Sequence, residues 1–160
     1  MTNNPAYHTG EYRSPVFPYP GLDGPGRPGY NDHISVMAGD GSAVAWEIIF
    51  YKTFYGKRPV ADFLRSLKPA ERAKIGETFD LVQKFGPHVG MPFVRHLNND
   101  IWEMRTPFAG QAFRVFFFID SNKLMAVHGI VKKTMKTPAN DIHIAIDRMK
   151  DHIQRKDDKE

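Results

Sequence analysis

The chain of 160 residues contains no cysteine, so neither a disulfide framework nor a thiolate zinc site can support its fold. It also lacks any apolar run that approaches the roughly 20 residues needed to cross a bilayer. The N-terminus has no basic region followed by an apolar one, which is the pattern of a secretory signal. We therefore expect a cytoplasmic protein without a membrane partner.

The first 44 residues have little that could build a core. They contain 6 of the 12 prolines and 7 of the 13 glycines, and Tyr19–Gly29 has neither helical nor strand periodicity. Such a segment cannot bury enough apolar surface to offset the entropy of ordering it. We predict a disordered Pro/Gly-rich extension over 1–44, one domain over 45–155 and a charged tail over 156–160. Two alternatives for the extension stay open: its aromatic side chains form a short recognition motif, or Met37 is the true start of the protein.

Charge is distributed unevenly along the chain. Residues 1–44 carry two basic and four acidic side chains, a net of −2, whereas the whole chain carries +4. Residues 45–160 therefore carry +6. A small basic domain favours a polyanionic partner, although the same charge can serve as a solubility surface.

From residue 45 onward, regular apolar patterns predict an α+β domain with the element order β-α-α-β-β-β-α. The aromatic and β-branched run 46–51 predicts the first strand. Two amphipathic helices follow, with Pro59 and Pro69 in their first turns. Gly86 and the proline after it end the second helix.

Three strands and a last helix complete the predicted domain. The strands fall at about 94–105, with an interruption at Asn98–Asp100, and at 112–119 and 124–132. Short turn-rich links between them favour antiparallel meander pairing. Thr137 and Pro138 predict the N-cap and first turn of the last helix. We expect an antiparallel sheet with the helices packed on one of its faces.

Cations are unusually dense on and beside these apolar strands: Arg105, Arg114, Lys132, Lys133 and Lys136. A sheet that only builds a core does not need them, whereas a surface that binds phosphates does. Alternate residues of a strand share a face. Arg105, Arg114 and either His128 or Lys132 can therefore converge on the face that the helices leave open.

Two residues near these cations allow more than one interpretation. His128 is the natural candidate for proton transfer, because its unperturbed pKa is about 6.5, or it is a core histidine. Glu103 is either a general base or the ion-pair partner that orients Arg105. His96, His143 and His152 lack metal-ligand spacing with a carboxylate cluster, so we expect no metal site.

Two pairs of residues also allow two interpretations each. Phe116 and Phe118 share the strand face of Arg114, where they are either core residues or stacking platforms for bases. Lys132 and Lys133 either contact a polyanion or guard a strand edge against aggregation.

The strands and the segment after them resemble the RelE/HigB toxin superfamily, and most closely its phage-derived HigB-like branch. The resemblance covers roughly residues 46–153 and rests on three stretches: Ile101-Trp-Glu-Met-Arg105, Phe113-Arg-Val-Phe-Phe117 and His128-Gly-Ile-Val-Lys-Lys-Thr-Met-Lys-Thr-Pro138. The last stretch is the most specific, because generic strand patterning does not produce a Lys-Lys-Thr-x-Lys-Thr-Pro run. The resemblance implies a RelE-like α+β fold.

The resemblance also implies a function. Known members are small cytoplasmic RNases of toxin–antitoxin pairs that cut mRNA, usually on the ribosome, and thereby inhibit translation. They need neither metal nor another cofactor. Their antitoxin is typically a helix-turn-helix protein encoded beside them, so the expected partners are mRNA, the ribosome and a HigA-like antitoxin.

Site residues carry over from the resemblance by position. Arg114 matches the arginine that opens the central strand and contacts the scissile phosphate, Lys132 or Lys133 matches a basic position that ends the last strand, and Arg105 matches one on the neighbouring strand. The predicted catalytic set is Arg105, Arg114, His128 and Lys132, the predicted RNA-binding set is Arg95, Lys133 and Lys136, and the predicted orienting set is Trp102 and Glu103.

The sequence also departs from the superfamily. Trp102 and Glu103 occupy the region where some members carry a lysine pair, and no tyrosine lies beyond Tyr55, although some members use one near the C-terminus. The resemblance therefore identifies no general base. Two other functions stay open: a nonenzymatic nucleic-acid-binding module, and a catalytically inactive relative that binds an antitoxin.

Overall fold

The computed structural model of the chain describes residues 36–37, 43–44, 46–98, 100–132 and 137–160. Within these residues a five-stranded sheet and three α-helices form a mixed α+β fold. A separate antiparallel pair of two-residue strands, β1 (Val36–Met37) and β2 (Ala43–Val44), precedes them. No helix in the described ranges is both long and apolar enough to span a membrane.

The order of elements after β2 follows the predicted pattern closely. It comprises strand β3 (Glu47–Phe50), helices α1 (Pro59–Arg65) and α2 (Pro69–Phe85), a 3-10 turn (Pro87–Val89), strands β4 (Val94–His96), β5 (Trp102–Phe108), β6 (Gln111–Asp120) and β7 (Lys123–Lys132), and helix α3 (Ala139–Asp157). The interruption predicted within the strand at 94–105 divides it into β4 and β5, and a hydrogen bond from the Ile101 N–H to the Asn98 carbonyl closes the turn between them.

The strands of the sheet lie in the order β3-β7-β6-β5-β4. Strands β4 to β7 pair antiparallel with their neighbours, which confirms the predicted meander. Strand β3, however, pairs in parallel with β7, so the expectation of a fully antiparallel sheet is wrong at this edge. The connection from β3 to β7 contains two helices and three strands, so it is long enough for the chain to return in the same direction.

The helices cover both faces of the sheet. Residues of α1 and α2 form one apolar core with Phe113, Val115 and Phe117 of β6, whereas residues of α3 form a second core with Phe116 and Phe118. The expectation that all helices share one face is therefore wrong. Strand β6 is apolar on both faces, and a strand of this kind needs cover on both sides. Phe116 and Phe118 are thus core residues.

A β-bulge in β7 changes which of its side chains face α3. Phe117 pairs with Ala126 and Phe116 pairs with His128, so Val127 is an extra residue between the two pairs. Val127 packs in the α3 core, and His128 also contacts α3. Strict alternation had predicted these two neighbours on opposite faces, and the bulge is the reason that they share one.

Candidate functional site

The carboxylate of Glu103 is the centre of a group of arginines on the α3 face of the sheet. Its Oε1 lies 2.9 Å from Nε of Arg114 and 4.0 Å from Nε of Arg105, and its Oε2 accepts a hydrogen bond of 2.8 Å from Nη2 of Arg95. We term these four residues the arginine cluster. Three guanidinium charges around one carboxylate leave a net charge of +2.

Strand register brings the arginine cluster together. Arg95 of β4 lies opposite Glu103 of β5, and Arg105, two residues further along β5, lies opposite Arg114 of β6. Glu103 and Arg105 share a face because residues two apart on a strand point the same way. Facing pairs on neighbouring strands have their side chains within contact distance. The predicted convergence of Arg105 and Arg114 is present, and Arg95 joins them.

The hydroxyl of Thr137 completes the group. It accepts hydrogen bonds from Nη2 of Arg95 at 3.1 Å and from Nη1 of Arg114 at 2.7 Å, and it donates one to Oε2 of Glu103 at 3.3 Å. Thr137 had been predicted to cap α3, but the N-cap of α3 is Pro138, without a side-chain hydrogen bond. Local sequence contains no signal for the role of Thr137, because its three partners lie on other elements.

Exposure differs sharply within the arginine cluster. The side chains of Glu103 and Arg114 have no exposed surface, that of Arg105 is 12% exposed, and that of Arg95 is 37% exposed. Burial lowers the pKa of Arg114, Glu103 opposes this change, and the charges of Arg105 and Arg95 lower the pKa further. Arginine nevertheless stays protonated in proteins. The cluster can therefore attract an anion from the side of Arg95, and guanidinium groups match the geometry of phosphate.

His128 belongs to a separate set of contacts with α3. Its Nε2 lies 2.8 Å from Oδ1 of Asp141, its Nδ1 lies 3.1 Å from Nη1 of Arg148, and its ring stacks on Phe116 at a centroid distance of 5.8 Å. A guanidinium only donates, so the partners assign the proton of a neutral ring to Nε2. Burial lowers the pKa of His128, as does Arg148, whereas Asp141 raises it. His128 thus joins β7 to α3, and the lowered pKa favours its neutral form.

The distance between His128 and the arginine cluster follows from the sheet. His128 pairs with Phe116, and Phe116 pairs with Glu103, so His128 and Glu103 lie in the same row, two strands apart. Two strand spacings correspond to about 10 Å. The two sets of side chains therefore share a face of the sheet without direct contact between His128 and Glu103.

The remaining residues predicted from the sequence lie elsewhere. Lys132 is half-buried at the end of β7, opposite Ala112. Lys133 and Lys136 lie outside the described residues. Trp102 lies on the opposite face from Glu103, where it packs against the α1 and α2 core and stacks on Phe117 at 6.3 Å. In the described part of the chain, no group of three or more His, Cys, Asp or Glu side chains is arranged to hold a metal ion.

The fold and the arginine cluster together define a small basic α+β domain with three guanidinium groups around one buried carboxylate. The sequence profile of the phage-derived protein Gp49-like family matches residues 62–150, which include all four residues of the cluster and Thr137. The match covers more than half of the chain, so the protein belongs to the Gp49-like family. This family is RelE/HigB-like and is associated with the toxins of toxin–antitoxin systems. No curated protein matches the chain.

Proposed function

We propose that this protein is the toxin of a toxin–antitoxin pair and a metal-independent endoribonuclease that cleaves mRNA on the ribosome. The observation that carries the proposal is the convergence of three guanidinium groups on one buried carboxylate, which leaves two positive charges in excess. Membership of the Gp49-like family supports the toxin role. We assign the chain to the HigB-like branch with a RelE-like strand and helix order, and its antitoxin to the helix-turn-helix, HigA-like type.

The phosphate of the substrate approaches from the exposed side of the cluster. Arg95 and Arg105 have exposed surface and meet it first, whereas Arg114 is buried behind them. Glu103 and Thr137 are the present acceptors of the guanidinium hydrogen bonds. A phosphate oxygen offers the same kind of acceptor, so it can take over some of these bonds. Glu103 then acts as the orienting counter-ion of the cluster.

The reaction that this site suits is cleavage by the 2′-hydroxyl of the RNA itself. That oxygen attacks the adjacent phosphorus, the bond to the 5′-oxygen breaks, and the products end in a 2′,3′-cyclic phosphate and a 5′-hydroxyl. The arginines stabilise the charge that develops on the phosphorane. They also hold the phosphate in line for attack. Proton transfer is assigned to His128, which takes the proton of the 2′-hydroxyl at Nδ1 and returns it to the leaving 5′-oxygen. Arg148 must first release that nitrogen.

The direct test is cleavage of an mRNA by the purified full chain, with and without ribosomes and with a chelator present, followed by mapping of the new 5′ ends. Arg95→Ala should lower the cleavage rate by about two to three orders of magnitude, the usual effect of removing one group that stabilises transition-state charge. The matched control is Arg65→Ala, which removes an exposed arginine of α1 paired only locally with Asp62. Equal rates for both variants and wild type would contradict the role of the cluster.

A second candidate function is binding without cleavage, either of nucleic acid or of an antitoxin alone. One observation favours it: both ring nitrogens of His128 are engaged, so no free base stands at that position. In this case wild-type protein binds the mRNA and leaves it intact at every salt concentration, and Arg95→Ala weakens binding only. A protein that neither binds nor cuts RNA but still binds the product of the neighbouring gene would be an inactive relative.

A further inference from the structure

A turn after β3 presents two aromatic side chains to solvent. Phe54 is 77% exposed and Tyr55 is 88% exposed, and among the described residues they are the two most exposed large hydrophobic side chains. Their rings pack only edge to face on each other, with centroids 5.3 Å apart and an interplanar angle of 89°. Contiguous exposed aromatic surface is a candidate for an interaction site.

The structure of the turn keeps these rings in solvent. The Thr53 N–H donates to the carbonyl of Lys57, and the Lys57 N–H donates to Oγ1 of Thr53, at 2.8 and 3.0 Å. Gly56, at a φ of 85°, donates to the Thr53 carbonyl and supplies a conformation that a residue with a side chain rarely adopts. Arg155 of α3 anchors the turn through a hydrogen bond of 2.7 Å to the carbonyl of Lys52. The rings are therefore held outward by a closed, anchored turn.

The charge around the rings identifies the class of partner. Lys52, Lys57 and Arg58 flank the pair, and residues 51–61 contain no acidic side chain. An apolar protein surface would need the rings but not the cations. Single-stranded RNA needs both, because its bases stack on aromatic faces while its phosphates attract cations.

The turn and the arginine cluster lie at the same end of the sheet. Strand β3 runs parallel to β7, so the turn leaves β3 toward the end where β7 carries Ile130, which lies opposite Arg114. Helix α3 also connects the two places: Thr137, just before it, contacts the cluster, and Arg155, near its end, holds the turn. The helix between them spans about 25 Å. Single-strand sites of about four nucleotides or more are common in proteins, so one strand can reach both places.

We propose that Phe54 and Tyr55 form a base-stacking platform for a single-stranded RNA whose phosphate lies in the arginine cluster. This inference rests on the proposed function and extends it, because it names unpaired bases as a second element of recognition. The platform accepts any base, since every base has a face that can stack.

The test separates the contribution of the bases to binding affinity from that of the phosphates. Two 2′-O-methyl oligonucleotides of equal length, one of adenines and one abasic, are titrated into the full chain, and neither strand can be cut by a 2′-hydroxyl. Wild type should bind the adenine strand at least about tenfold more tightly than the abasic strand. The double variant F54L/Y55L, which keeps an apolar surface, should lose this difference and retain wild-type affinity for the abasic strand. Ile153→Ala, at another exposed apolar residue, is the control and should behave as wild type.

Two outcomes would overturn the proposal. One is the same preference for adenine in wild type and F54L/Y55L. The other is unchanged RNA binding together with loss of self-association in sedimentation, which would make the rings a protein contact. Failure of the proposed nuclease is recognised separately, because cleavage is measured on unmodified mRNA and base preference on strands that cannot be cleaved.

Discussion

The Oε1 atom of Glu103 lies 2.9 Å from Nε of Arg114, and neither side chain has any exposed surface. A buried ion pair of this kind contributes little net stability, but loss of one partner leaves a charge without compensation and typically costs about 3–5 kcal/mol. Arg95 and Arg105 share the same carboxylate, so Glu103 is the common counter-ion of three guanidinium groups. The stability of the folded domain therefore depends on two residues, Glu103 and Arg114, that lie at the centre of the candidate site.

Glu103→Gln should lower the free energy of unfolding by about 3–5 kcal/mol, because three guanidinium groups then lack their counter-ion. Urea unfolding measures the change. The control is Asp62→Asn, in an exposed pair with Arg65 on α1, where a loss of less than about 1 kcal/mol is expected. Added inorganic phosphate should stabilise the Glu103→Gln variant more than wild type, since it replaces the missing charge. A variant as stable as wild type would show that the cluster does not need this carboxylate.

The environment of His128 predicts a dependence of stability on pH. Its pKa is lowered in the folded protein, so when the pH falls below about 6.5 the unfolded chain binds a proton that the folded chain resists. Stability that is present above this pH is therefore lost on acidification toward the folded pKa. The free energy of unfolding, measured from pH 8 to pH 5, should decrease more in wild type than in His128→Gln. The control is His143→Gln, at an exposed position of α3, whose free energy of unfolding should follow the wild-type dependence on pH. The prediction would be contradicted if wild type and His128→Gln lost the same free energy of unfolding between pH 8 and pH 5.

The environment of Asp80 predicts the opposite dependence of stability on pH. Burial, and then the charge of Glu77, raise the pKa of Asp80 to about 6. A raised carboxyl pKa stabilises the fold below the unfolded pKa of about 4, and this contribution is lost as the pH rises through about 6. Asp80→Asn should therefore increase stability relative to wild type at pH 8 and have a smaller effect at pH 4.5. Urea unfolding of both proteins at the two pH values checks this, with Asp62→Asn as an exposed control. An equal effect of Asp80→Asn at both pH values would rule out this titration.

The lysines at and after the end of β7 predict a change in how RNA binding depends on salt concentration. Simultaneous substitution of Lys132, Lys133 and Lys136 by glutamine should weaken RNA binding and flatten its salt dependence, because fewer counterions are released. Each lost contact to a single strand should reduce the slope of log affinity against log salt by about 0.7. Thermal stability should change little, because the charge of a lysine usually contributes little to folding. Slopes that agree between wild type and the triple variant would exclude these lysines from phosphate contact.

Several features of the fold were predictable because short-range patterns decide them. Pro59 and Pro69 begin α1 and α2 as expected, and Gly86 ends α2 in a conformation with a φ of 70°. The meander of the last strands was predictable from its short links. The parallel pairing of β3 was not, because it joins residues more than 70 positions apart, for which no local pattern exists.

The candidate site was predictable to the extent that it follows from alternation along a strand. Glu103 and Arg105 had to share a face of β5, and Arg114 had to lie on one face of β6. The role of Arg114 as a phosphate contact stays a prediction, and its complete burial makes Arg95 the more accessible position for a first test. Val127 shows the limit of alternation, because the bulge in β7 places it on the α3 face beside its neighbour His128.

The sequence by itself determined the strands, the helices, the two apolar faces of β6 and the excess of cations, because propensity and periodicity depend on neighbours along the chain. Only the tertiary structure decided that three arginines meet at Glu103, that the hydroxyl of Thr137 bonds to two of them, and that α3 packs on the face opposite α1 and α2. These contacts join residues distant in the chain. They depend on strand order and register, which are set by packing of the whole domain rather than by any one segment.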